Sequence, residues 1–205
     1  MQTIILADGE FPKNEKLLRL LRDSGRVICC DGAALKLHEF GRKPDAIVGD
    51  LDSLSDELKG LYNDIIFASS DQETNDLTKA IEYCQMKNYQ EIVILGATGL
   101  REDHTLGNIS LLAEYSLRIK DICLLTDYGR MDAIHKSTNF ACLPGQQISI
   151  FSLTPDTQIS AYGLLYPIES RNFTSWWQGT LNQTTGDNFR IEMDKGRLLV
   201  YQLAK

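Results

Sequence analysis

The sequence predicts an α/β protein: an N-terminal open, mostly parallel sheet with helices on both faces, followed by a small all-β, sandwich-like domain. Three observations carry this expectation. Up to about residue 127, short apolar runs alternate with longer stretches of helical spacing. Several of those runs lack polar alternation, as strands covered on both faces do. From about residue 130 the helical spacing stops, and short segments of period two take over.

Thr3 to Ala7 is the first apolar run and ends on Asp8. Lys16 to Leu21 follows with helical spacing, then Val27 to Cys30, which ends on Asp31. Ala46 to Val48 leads into Gly49-Asp50, with a helix opening near Ser55, and Ile65 to Ala68 is the next run. Asp76 to Cys84 puts Leu77, Ala80, Ile81 and Cys84 on one apolar helix face. Ile92 to Leu95 runs into Gly96 ahead of a helix carrying Asn108, and Ile122 to Leu125 closes the series before Asp127. Open α/β sheets bind ligands beyond the carboxyl ends of their strands. Asp8, Asp31, Asp50 and Asp127 stand at such ends, although aspartate is also an ordinary helix cap and turn former.

The second half offers strands at Gln147 to Leu153, Gln158 to Tyr162, Gly179 to Thr184, Phe189 to Met193 and Leu198 to Leu203, with Asp194-Lys195-Gly196 as a hairpin turn. The boundary falls between residues 128 and 140, giving domains of 1–130 and 131–205.

With 205 residues, 43% of them hydrophobic, the chain can bury a real core. Its net charge of −7 and dispersed lysines argue against nucleic acid and anionic lipid as partners. Five cysteines without CxxC spacing, including the vicinal Cys29-Cys30, fit buried reduced thiols and a reducing compartment. No signal-peptide pattern and no apolar stretch of about 20 residues is present, so a cytoplasmic protein without a membrane span is expected.

Three acidic clusters carry the chemistry: Asp50-Leu51-Asp52-Ser53, Thr74-Asn75-Asp76-Leu77-Thr78-Lys79 and Arg101-Glu102-Asp103-His104. Two unit charges about 4 Å apart repel by about 4 kcal/mol at an effective dielectric of 20, so gathered carboxylates call for a cation. Oxygen-only ligands suit magnesium, which completes its shell with substrate phosphates and water. Asp50 and Asp52 aim at one side if the backbone between them stays extended; a polar turn opening the next helix is the plainer alternative. Asp76 and Lys79, at i and i+3, make either a surface ion pair or a metal ligand beside a phosphate-binding ammonium. The loop Gly96 to His104 offers backbone amides at a helix start and the guanidinium of Arg101 to a phosphate. It matches neither the P-loop nor a complete GxGxxG. His104 reads as a neighbour of the helix cap or a packed imidazole rather than a metal ligand.

Asp31-Gly32-Ala33, Gly49 through Ser53, Asp71 with Thr74 through Ala80, and Gly96 through Asn108 resemble, in order and spacing, the motifs of the thiamine pyrophosphokinase family. Gly163-Leu164-Leu165-Tyr166-Pro167-Ile168 continues the resemblance into the second half. The resemblance implies a Rossmann-like catalytic domain and transfer of the β,γ-diphosphate of ATP to the hydroxyl of thiamine, with release of AMP. It implies Mg2+ held by Asp50, Asp52, Asp76 and Asp103, and polyphosphate held by Lys79 and Arg101. Asp31, Gly32, Thr74, Thr98, Gly99, His104 and Asn108 would then surround the nucleotide. A homodimer with thiamine near the interface is implied, with Tyr166, Trp176, Thr184 and Thr185 as thiamine contacts. The family's Ser-Asn pair has no direct counterpart in Gly179 through Asp187, where Thr184 or Thr185 stands in for the serine hydroxyl. In strand geometry Trp176 and Trp177 point to opposite faces, so at most one stacks on a ring. A related diphosphokinase acting on another hydroxymethyl heterocycle, such as a pterin, and a non-catalytic nucleotide-binding module are the alternative readings.

Overall fold

The computed structural model describes residues 1–71 and 73–204, which divide into two compact units, 1–127 and 128 onward. The first unit contains β1 (Thr3–Leu6), α1 (Glu15–Asp23), β2 (Val27–Cys30), α2 (Ala34–Glu39), β3 (Ala46–Gly49), α3 (Asp56–Leu61) and β4 (Ile66–Ala68). It continues with α4 (Asp76–Met86), β5 (Glu91–Leu95), α5 (Glu102–Tyr115) and β6 (Asp121–Thr126). Its strands are parallel and run in the order β6-β5-β1-β2-β3-β4. The chain steps outward from β1 to β4, then crosses to the other side of β1 for β5, so the topological switch lies between β1 and β5. Ligand crevices of open α/β sheets form there.

The strands are continuous apolar runs because helices cover both faces. Ile4, Leu6, Val27, Cys29 and Ile47 pack with Leu17 and Leu21 of α1, Leu37 of α2 and Leu58 of α3. The alternate residues Ile5 and Ile28 are equally buried on the opposite face, which α4 and α5 cover with Leu77, Ala80, Ile81, Leu112 and Ala113. Sequence spacing did not reveal α2. It emerges directly from a 3-10 turn at Asp31–Ala33, lasts six residues and has no side-chain cap. Asp127 acts as a tie within this unit: its carboxylate accepts N–H bonds from Lys13 and from Asn14, the residue whose side chain caps α1.

The second unit contains β7 (Gly129–Ile134), β8 (Thr138–Ala141), β9 (Gln147–Ser152), β10 (Ile159–Tyr162), β11 (Ile168–Arg171), β12 (Asn182–Gln183), β13 (Asn188–Met193) and β14 (Leu198–Leu203). Four strands in the order β12-β9-β14-β7 face four in the order β11-β10-β13-β8, all antiparallel. Ile148, Ile150, Leu198 and Val200 from one sheet meet Ile159, Ala161, Phe189 and Ile191 from the other, which is the sandwich expected from alternation.

Two expectations fail here. Asp194 to Gly196 do not close a hairpin, because β13 and β14 belong to different sheets and the turn crosses between them. Gly179 to Thr184 is strand only at Asn182–Gln183, since Trp176–Gly179 coil into a 3-10 turn and Leu181 adopts a left-handed φ of 61°. The two tryptophans therefore do not alternate across a strand.

Candidate active site

At the carboxyl ends of the first unit's strands lies a cavity of about 460 Å3. The loops after β1 and β5 form one rim and are laced together: the Gly9 N–H donates to the Gly96 carbonyl at 2.6 Å and the Glu10 N–H to that of Thr98 at 2.8 Å. A side chain at Gly9 would strike both carbonyls, which is why the two loops approach so closely only with glycine there.

Asp31 sits at the end of β2 and is 2% exposed. One carboxylate oxygen accepts the Gly32 N–H at 2.7 Å and the other the Leu51 N–H at 2.8 Å, so both are engaged by backbone. Burial raises its pKa, the charges of Asp76 and Asp50 add to the rise, and the two backbone bonds work against it. Gly49 is packed on this carboxylate; a Cβ there would lie 2.5 Å from the Asp31 Cγ. Asp8 leans on Gly32 and accepts from the Lys36 ammonium at 2.6 Å, and that ammonium also donates to the Gly9 carbonyl at 3.0 Å.

Asp50, Asp76 and Lys79 meet on the cavity wall. Asn75 caps α4, its side-chain oxygen accepting the Thr78 N–H at 2.9 Å, and so points the first turn of the helix at the end of β3. The Lys79 side chain is 3% exposed, with Nζ 3.0 Å from Asp76 and 3.9 Å from Asp50. Burial pulls its pKa down, but the hydrogen bond to Asp76 and the charges of Asp76, Asp50 and Asp31 prevail and raise it. Asn75 also donates to Asn108 at 3.0 Å, and Asn108 donates to the Ala97 carbonyl at 2.8 Å, tying α4, α5 and the loop after β5 into one frame.

Of the sequence-derived candidates, Asp31, Gly32, Asp50, Thr74, Asp76, Lys79, Gly99, Arg101, His104 and Asn108 line this cavity. Three do not. Asp52 is exposed, because Leu51 takes a left-handed φ of 70° and the backbone between the two aspartates is not extended. Asp103 is held away by Arg101, whose guanidinium donates to both carboxylate oxygens at 3.1 and 2.6 Å. That pairing, with the His104 N–H, lowers the Asp103 pKa to about 2. Thr98 contributes its carbonyl to the rim through Glu10. Asp8, Asn75 and Leu100 line the cavity without having been singled out as site residues; Asn75, directly before an acidic helix start, carried a legible cap signal.

The donor set fits a hard divalent ion. The cavity is lined by four carboxylates, Asp8, Asp31, Asp50 and Asp76, against two cations, Lys79 and Arg101. Among the described residues no group of three His, Cys, Asp or Glu side chains is gathered closely enough to hold an ion alone. Magnesium does not require one, since one or two carboxylates with phosphates and water suffice.

In the second unit, Thr184 is buried and its hydroxyl is spent on the Leu143 carbonyl at 2.6 Å and the Gln146 N–H at 3.0 Å, whereas Thr185 is exposed. Asn182 braces Tyr166 by exchanging hydrogen bonds with its backbone, and the Tyr166 side chain is 65% exposed. Trp176 donates to the Ser152 carbonyl and lies edge-on to Phe151.

Residues 17–124 match the family model described as "Thiamin pyrophosphokinase, catalytic domain", and residues 129–201 match "Thiamin pyrophosphokinase, substrate-binding domain". The chain belongs to the thiamine pyrophosphokinase family. Thiamine pyrophosphokinase 1 of Arabidopsis thaliana is 34% identical over 209 residues, covering 87% of this chain and 78% of that protein. Thiamine pyrophosphokinase 1 of Oryza sativa subsp. japonica is 33% identical over 132 residues, 50% of each. The chain spans about half the length of several of the curated relatives it matches. Thiamine pyrophosphokinase from Bacillus subtilis superposes over 100% of both chains with a TM-score of 0.82 at 20% identity. That from Candida albicans superposes with a TM-score of 0.83 at 19% identity, over 99% of this chain and 90% of its own. At such identities the likeness is one of fold. Among the described residues no helix is long and apolar enough to cross a membrane.

Proposed function

We propose that this protein is a thiamine diphosphokinase that moves the β,γ-diphosphate of ATP to thiamine, giving AMP and thiamine diphosphate. The observation that carries the reading is the buried Lys79 ammonium set between Asp50 and Asp76 at the switch-point cavity of the unit that matches the catalytic family model. In the reaction the thiamine hydroxyl oxygen bonds to the β-phosphorus. The bond from that phosphorus to the α,β-bridging oxygen breaks, AMP leaves with the bond's electron pair, and the hydroxyl proton goes to solvent or to a carboxylate. Such transfers depend on charge neutralisation and in-line placement more than on covalent catalysis.

Asp50 and Asp76 are the residues that would hold Mg2+, and Asp52 and Asp103, which stand outside the cavity, would join them only if their loops rearranged; the ion would supply charge neutralisation at the phosphates. Lys79 offers a point charge to the polyphosphate from a fixed, water-poor position. Arg101, whose partner Asp103 is exposed, would turn its guanidinium to phosphate oxygens, and the Asp103 carboxylate would then be available to the ion. Asp31 holds the loop that carries Asp50 through the Leu51 N–H. In a cavity where carboxylates outnumber cations, an ATP polyphosphate is repelled unless a divalent ion accompanies it.

We further propose a cytoplasmic homodimer. The buried free thiols of Cys29, Cys30 and Cys84 suit a reducing compartment, and Tyr166, Trp177 and Leu181 expose apolar surface on the second unit. The test of function is incubation with ATP, magnesium and thiamine, followed by chromatography. Equal amounts of AMP and thiamine diphosphate are expected. AMP formed only when a hydroxymethyl pterin replaces thiamine would overturn the choice of acceptor, and bound ATP that persists unchanged with either acceptor would overturn catalysis.

A further inference from the structure

Two leucines beside the cavity hold left-handed backbone conformations, Leu51 at φ 70° and Leu100 at φ 64°. A Cβ in this region crowds the following carbonyl, so a leucine stays there only when its surroundings impose it. At Leu51 the compensation is internal: its side chain packs against the apolar core and its N–H is bound by Asp31. At Leu100 it is not. Its side chain is 71% exposed and lines the mouth of the cavity.

The loop around Leu100 is tied at several points. Gly96 and Gly99 also have positive φ, at 67° and 78°. The Glu10 N–H binds the Thr98 carbonyl, Asn108 binds that of Ala97, and Arg101 is clamped to Asp103. A largely exposed apolar side chain is thus kept in a strained conformation at a cavity whose wall carries Asp50, Asp76, Lys79 and Arg101, and among the described residues it belongs to neither core cluster.

We propose that Leu100 is a specificity-determining contact residue, the apolar wall on which a flat heteroaromatic ring of a bound substrate rests while the polyphosphate of the nucleotide lies against Lys79. This rests on the diphosphokinase reading, whose two substrates each carry such a ring: the purine of the nucleotide and the rings of thiamine. The strain at Leu100 is then a cost in the free protein that ligand contact offsets.

The experiment compares wild type with Leu100→Gly and Leu100→Ala by thermal melting and by calorimetric titration. The ligands are magnesium with a nonhydrolysable ATP analogue, inorganic triphosphate with magnesium, and thiamine. Leu100→Gly releases the strain and is expected to raise the melting temperature by about 2–8 °C, whereas Leu100→Ala keeps it and gives no such rise. Both variants are expected to bind one ring-bearing ligand about 5- to 20-fold more weakly, with triphosphate unchanged. Loss confined to the ATP analogue identifies the purine as the ring, and loss confined to thiamine identifies the acceptor. Unchanged affinity for both ring compounds, or an equal fall for triphosphate, overturns the inference while leaving the function standing. Wild-type protein that binds neither ring compound overturns both.

Discussion

Replacing Lys79 with methionine tests whether the ammonium is an integral part of the carboxylate cluster. Methionine keeps the stem volume and removes the charge. At 3.0 Å from Asp76 and 3.9 Å from Asp50, the attractions are about 5.5 and about 4 kcal/mol at an effective dielectric of 20. Desolvation of the lysine offsets much of this, so the measured cost is smaller. Removing one partner of a buried pair costs about 3–5 kcal/mol. The carboxylate side chains here are 36% and 27% exposed, and water screens what is left behind, which brings the expected loss to about 2–3 kcal/mol. For a chain of this size that lowers the melting temperature by about 4–12 °C. The assay is urea denaturation of wild type, Lys79→Met, Asp76→Asn and the double variant at low salt. The double variant should be more stable than the sum of single losses predicts by about 1–2 kcal/mol, because asparagine leaves no stranded charge. Strict additivity, or a Lys79→Met loss below about 0.5 kcal/mol as for a surface pair, refutes the assignment.

Three further outcomes follow from the same geometry. The Arg101 pairing depresses the Asp103 pKa to about 2, so its contribution to stability is present above the ordinary carboxylate pKa and is lost as pH falls through about 2. A carboxyl-carbon NMR titration should show that midpoint, and Arg101→Ala should return it toward the ordinary value near 4; a midpoint near 4 in wild type means the pair does not persist in solution. Gly9→Ala should cost about 1–3 kcal/mol and weaken nucleotide binding, since the new methyl meets the Gly96 and Thr98 carbonyls, and a variant with unaltered melting and nucleotide affinity contradicts the tight lacing of those loops. Burial raises the pKa of Cys29 and Cys30 and pushes that of Cys84 up to about 12, so native-state alkylation followed by peptide mass spectrometry should modify the half-buried Cys142 well before these three; labelling of Cys29 at a comparable rate would mean that β2 opens readily.

Much of the architecture was legible in sequence because it is local. An apolar run without alternation is a strand covered on both faces, and Leu77, Ala80, Ile81 and Cys84 could share a face only in a helix. A helix opening near Ser55 could be read in the same way, and Ser55 is its cap; Asn75, which caps α4, carries the same signal of a polar residue directly before an acidic helix start. The motifs around Asp31, Asp50, Asp76 and Arg101 could be read because they keep a spacing along the chain. What that spacing did not contain is distance between chain-remote atoms. The i, i+3 pair of Asp76 and Lys79 looks identical in sequence whether it lies on a wet surface or, as here, with the lysine 4% exposed beside Asp50. Burial was decided by the parallel order β5-β1-β2-β3, which brings the ends of β2 and β3 and the start of α4 to one cavity. Conformation at single residues was equally hidden. The left-handed turn at Leu51 separates Asp52 from Asp50, and that at Leu181 cuts a strand short, because tertiary contacts there override the backbone preference of leucine. Local periodicity therefore determined which elements form, and their packing order determined which charges meet.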